Sequence, residues 1–147
     1  MESIVYKVVE NVKNHDDKTE TLYSACQNKF ILPKTCKLIY KLRETIYPKI
    51  PNSKIFCFLD YHSAVLFAKD MCGINKKIEI YKGLGLNPKP LEFRSSGYVT
   101  IQQWWEEQAE PVEIRNKDNS TKTPINTFGV DSIYLTQLVW SHFEVLV

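Results

Sequence analysis

No apolar run in this chain is longer than five residues, and such runs end at residues that cap, turn or carry charge. That excludes a membrane-spanning helix, which needs roughly 18 consecutive apolar residues, and points to short strands that must pack together to bury anything. Ile55-Phe56-Cys57-Phe58-Leu59 is the clearest case. Its unbroken apolarity predicts a central strand covered on both faces. With 147 residues, 44% of them apolar, and a formal net charge of +2, the chain has the length and composition for one folded domain, 1–147, with a core that needs no metal or disulfide staple.

Around that strand the pattern alternates between periods. Ile4 to Val9 is β-branched and aromatic and predicts a first strand; Thr21 to Cys26 predicts a second. From Cys36 to Arg43 the alternation is clean, with Cys36, Leu38, Tyr40 and Leu42 on one face and Lys37, Ile39, Lys41 and Arg43 on the other. Asp60 can cap a helix over 60–72, where Ala64, Val65, Ala68 and Cys72 recur at helical spacing, and Gly73 suits a left-handed stop. Lys77 to Lys82 alternates again. Gly83 to Pro90 predicts a turn-rich connection, and Asn11–Glu20 and Arg115–Asn126 predict loops.

Thr100-Ile101-Gln102-Gln103 fits a capping box that would open a second helix over 100–109, stopped before Pro111. Val112 to Arg115, Ser132 to Trp140 and Phe143 to Val147 are further strand candidates, with a helix as the alternative for Ser132 to Trp140. The resulting expectation is a single α+β domain, mainly antiparallel sheet with two short helices.

Sites with strict spacing rules find little support. His15, His62 and His142 stand far apart and no two cysteines have ligand spacing, so no metal and no cofactor is expected. Cys26, Cys36, Cys57 and Cys72 read as reduced structural thiols. Gly83-Leu84-Gly85 leads to prolines and not to a helix, so it is neither a Walker loop nor a dinucleotide fingerprint. The first residues lack the basic start and apolar core of a secretion signal, which makes a cytoplasmic or virion-associated location the expectation.

Charge is unevenly distributed. Between Lys29 and Lys54 stand seven Lys and Arg against the single acid Glu44, whereas Glu106, Glu107, Glu110 and Glu113 cluster later. A basic sheet face built from Lys37, Lys41 and Arg43, with Tyr47 beside it, is the candidate contact for another protein or an acidic macromolecular surface; nucleic acid or a small nucleotide would satisfy the same charge. Trp104 and Trp105 differ by about 100° in direction on a helix, so one indole can fill the core while the other anchors a partner at the helix edge.

The order Ile4–Val9, Leu22-Tyr23-Ser24-Ala25, Ile55–Leu59 running into Ser63–Ala68, then Pro124 before Val130–Leu135, resembles small accessory or particle proteins of phages and large DNA viruses. That resemblance implies a compact accessory protein and brings no chemistry with it. Arg43, Ser95-Ser96 and Gln108-Ala109-Glu110, with the strand and helix of 55–68, are similar to the elements of ADP-ribosyltransferases. This second resemblance implies NAD as substrate, with Glu110 holding a ribose hydroxyl in a pocket shared with Arg43. The Ser pair stands closer to Gln108 than that family's intervening strands allow. A non-enzymatic binding or assembly protein of viral or mobile-element type is therefore the leading expectation, and a transferase-like or nucleotide-sequestering protein the second.

Overall fold

The computed structural model describes residues 1–25, 38–50, 53–91, 94–96, 120–122 and 126–145, with backbone alone at 94–96 and 120–122. Every ladder between named strands is antiparallel. β1 (Glu2–Lys13) and β6 (Lys77–Leu86) form the spine, paired from Glu2↔Leu86 to Asn11↔Lys77. β11 (Ile133–Phe143) lies on the far side of β6, and the two-residue β4 (Thr45–Ile46) pairs with its start.

The other edge of β1 is shared between two neighbours. β5 (Ile55–Phe58) meets it at Tyr6, and β2 (Glu20–Ser24) takes over from Val9 to Lys13. The sheet therefore forks. One branch continues through β10 (Thr127–Val130) to the short β7 (Lys89–Pro90); the other passes through β2 to β3 (Ile39–Tyr40). β8 (Arg94–Ser96) and β9 (Ser120–Lys122) form a separate two-stranded sheet, so the predicted loop over Arg115–Asn126 contains a strand.

The chain forces the large sheet to curl. β3 and β4 sit at opposite ends of the ladder β3-β2-β1-β6-β11-β4, yet only Lys41–Glu44 separates them. Five strand gaps in a flat sheet would span about 24 Å, whereas the Cα atoms of Tyr40 and Thr45 can be at most about 19 Å apart. The concave side of this curl holds Val5, Val9, Leu22, Tyr40, Ile55, Cys57, Tyr81, Val130, Ile133 and Leu135. The convex side is covered by α1 (Tyr61–Met71), whose Ala64, Ala68 and Met71 pack with Val8, Phe58, Ile78 and Ile80. β5 thus serves both layers, Ile55 and Cys57 facing one and Phe58 the other, as its unbroken apolarity required.

α1 begins where Asp60 accepts a hydrogen bond from the Ser63 amide at 2.8 Å. Its end corrects the sequence reading: Cys72 is extended at φ −62° and ψ 144°, and the left-handed residue of this turn is Asn75 at φ 61°, not Gly73. It is the one helix among the described residues, and it is too short to cross a membrane; the second expected helix, 100–109, lies outside them.

The predicted turn-rich connection from Gly83 is also corrected, because β6 runs straight through both glycines to Leu86. The glycines are there for closeness. A Cβ on Gly83 would stand 2.0 Å from the Tyr134 carbonyl oxygen, and one on Gly85 would meet Val130 and Val5 at 2.8 and 2.9 Å. β1 likewise continues to Lys13, so the Asn11–Glu20 loop shrinks to a hairpin turn closed by Asn14 and Thr19. Ser132 to Trp140 and the start of the last candidate strand join into the single strand β11.

Candidate partner-binding surface

The alternation from Cys36 to Arg43 becomes a strand only at Ile39–Tyr40 among the described residues. Tyr40 faces the core, and Leu42 and Arg43 then form a turn. Lys41 and Arg43 are therefore exposed on a turn and do not form a continuous sheet face. The turn is nevertheless fixed: the Arg43 amide donates to the Leu135 carbonyl at 2.8 Å, and Arg43 takes φ 59°. A residue with a Cβ costs about 1–2 kcal/mol there compared with a right-handed conformation, a position that Gly or Asn would fill more easily.

Around these cations the surface is partly apolar, with Ile39, Leu42 and Tyr47 all exposed, Tyr47 most of all at 65%. Lys37, Trp104 and Trp105 lie outside the described residues. Arg43, which the NAD reading needs in a concave pocket with Glu110, stands on this exposed turn, while Ser95 and Ser96 lie in the separate two-stranded sheet and Glu110 lies outside the described residues.

Inside the curl is a feature that the sequence reading missed. Lys7 is 3% exposed and Glu79 2% exposed, both on the concave face. Lys7 Nζ donates to Ser24 Oγ and to the Phe56 carbonyl, each at 2.7 Å, and lies 5.3 Å from the centre of the Tyr40 ring. Glu79 Oε1 accepts from Asn11 Nδ2 at 2.7 Å and from the Tyr81 hydroxyl at 3.4 Å. Asn11 also donates to Glu20, which lies 3.8 Å from Lys77. A signal was available: Val5, Lys7, Val9 and Asn11 share one parity along β1, so Lys7 had to accompany two core valines.

Burial raises the acidities' thresholds here. The Cys57 thiol is pushed up to about 12 by desolvation, partly offset by the nearby Lys7 charge. Desolvation also raises Tyr40, despite a hydrogen bond with Ser24, and raises Tyr81 to about 12 with the Glu79 charge adding to it. All three are acids held protonated in the folded state. Their unfolded counterparts ionise from pH 9 to 10 upward, so the unfolded chain binds fewer protons there and stability falls with rising pH. For Cys57 the expected loss is about 1.4 kcal/mol per pH unit between its unfolded and folded values. Urea midpoints measured from pH 7 to 11 should be level to about pH 8.5 and then decline; a level profile to pH 11 would show the interior to be hydrated.

A third cluster lies at the end of β6, where Met1, Ser3, Lys54, Asn87, Pro88, Lys89 and Asp131 line an open depression of about 480 Å³. Asp131 is fully engaged, accepting from Lys54 through Oδ1 and from Asn87 through Oδ2, and these hydrogen bonds hold its carboxyl below the usual range. Among the described residues, no three His, Cys, Asp or Glu side chains gather as a metal site. No family model, curated protein or solved structure matches the chain.

Proposed function

We propose that this chain is a non-enzymatic binding or assembly protein that meets an acidic protein surface through Lys41, Arg43 and Tyr47. The observation that carries the reading is Arg43: a cation in a backbone conformation that disfavours it, pinned to Leu135 and exposed beside Lys41, Leu42 and Tyr47. Lys18 takes the same φ of 59° in the β1–β2 turn, so what supports the reading is the combination at Arg43 of a fixed position and exposed Lys41, Leu42 and Tyr47 beside it.

Protein is favoured over nucleic acid because the cations are few and interleaved with exposed Ile39, Leu42 and Tyr47. A Tyr and Arg combination suits a protein interface. Lys37, Trp104 and Trp105 lie outside the described residues and belong to the same proposal on the strength of the sequence pattern alone. A viral accessory or particle role is part of the same proposal and rests on the resemblance in segment order.

The experiment is a fluorescence-anisotropy titration at low salt with a labelled decaglutamate peptide and, separately, a labelled single-stranded oligonucleotide. Binding to decaglutamate that weakens about tenfold or more in Lys41→Glu/Arg43→Glu, with an unchanged melting temperature, supports the reading. No decaglutamate binding, or binding that the double variant retains, overturns it; binding of the oligonucleotide alone would assign the turn to nucleic acid.

A further inference from the structure

Two of the ends of the forked sheet are protected very differently. At one end β7 is two residues long and consists of Lys89 and Pro90, a charge and a missing donor that both discourage strand addition. At the other end β11 is eleven residues long and contains no Asp, Glu, Lys, Arg or Pro. One edge of β11 is fully used by β6. On its other edge β4 reaches only Ile133 and Tyr134, and the Arg43 amide takes the Leu135 carbonyl. Beyond that, among the described residues, no strand pairs with Gln137–Phe143, where Leu138 is 46% and Phe143 53% exposed.

We infer that this edge pairs with the same edge of a second copy, antiparallel about a two-fold axis within Gln137–Phe143. Self-complementarity selects the occupant. An antiparallel pair of identical strands sets the residue at the axis opposite its own copy and keeps its neighbours close to theirs, so a formal charge near the axis would meet a like charge. β11 carries none, and its His142 is engaged by Glu144 at 3.1 Å just past the strand. A chain with 24% charged residues thus has, among the described residues, a long unpaired edge free of them. Shifts of register leave Thr136 and Val139 as bulges, and bulges twist an edge. The shared ladder is therefore short, and the dimer is a weak one that forms in the micromolar range.

Sedimentation velocity from about 5 to about 200 μM covers that range. The wild type should pass from monomer to dimer mass as concentration rises. Leu138→Lys and Ser141→Lys, each at an exposed position, should weaken the dimer at least about tenfold by setting like charges beside the axis. If Leu138→Lys unfolds, as circular dichroism would show, Ser141→Lys carries the test. Lys41→Glu/Arg43→Glu should dimerise like the wild type, which separates this surface from the turn. A wild type that stays monomeric at the highest concentration overturns the inference and leaves a strand of another protein as the remaining occupant; a dimer that survives both Lys substitutions overturns it as well.

Discussion

Gly83→Ala is expected to lower stability by at least about 3 kcal/mol, a fall of about 10 °C in melting temperature for a chain of this size. The added methyl would stand 2.0 Å from the Tyr134 carbonyl oxygen and 2.7 Å from the Leu135 Cα. Both are backbone atoms of β11, so no side chain can turn aside, and the β6–β11 ladder must part where Leu135 faces Gly83. Gly85→Ala provides the comparison. Its methyl would meet the Cγ1 atoms of Val130 and Val5, two fully buried side chains that can shift by some tenths of an ångström, and the expected cost is about 1–3 kcal/mol. Chemical denaturation of the two variants should preserve that order. Equal, small losses would mean that β6 and β11 are further apart than described.

Glu79→Ala should cost about 3 kcal/mol. The carboxylate is almost wholly buried and is the acceptor for Asn11 Nδ2 and the Tyr81 hydroxyl. Removing it strands two buried donors, each worth about 1–3 kcal/mol when left unpaired, and opens a small cavity. Glu79→Gln keeps an acceptor oxygen at the same reach and should cost less than about 1 kcal/mol, because burying an amide also avoids the desolvation of a charge. An Ala variant as stable as the wild type would remove this polar layer from the account of the core. A Gln variant as damaging as Ala would make the charge, and not the hydrogen bonding, the stabilising element.

These two residues also show where sequence reading succeeds and where it stops. Local signals were reliable when one physical requirement decided the outcome. Asp60 capping an apolar stripe placed α1, and the unbroken apolarity of Ile55–Phe58 placed a strand between two layers. Gly83 and Gly85 failed as turn signals because glycine answers two different needs, conformational freedom and close approach, and only the neighbouring strand reveals which applies. The segment from Cys36 alternates correctly at Ile39 and Tyr40, but a period of two cannot show where the strand ends, and the turn at Leu42–Arg43 is imposed by the closure of the curl against Leu135.

The candidate surface was legible in part for the same reason. Exposure of Lys41, Arg43 and Tyr47 followed from their chemistry; their arrangement on a pinned turn required the long-range pairing of β3 with β2 and of β4 with β11. The interior cluster was overlooked because charged residues on strands are ordinarily assigned to solvent. Glu79 lies between Ile78 and Ile80 on a strand buried on both faces, so neither parity of β6 leads to water there. Only the curl of the sheet makes that visible.

The sharpest measurement on the proposed contact is a paired one on Arg43→Gly: thermal melting together with the decaglutamate titration. Glycine relieves the left-handed backbone and removes the cation, so the melting temperature should hold or rise by a few degrees while peptide binding falls. A lower melting temperature with binding unchanged would make Arg43 a structural residue and contradict the reading of this turn as the working surface.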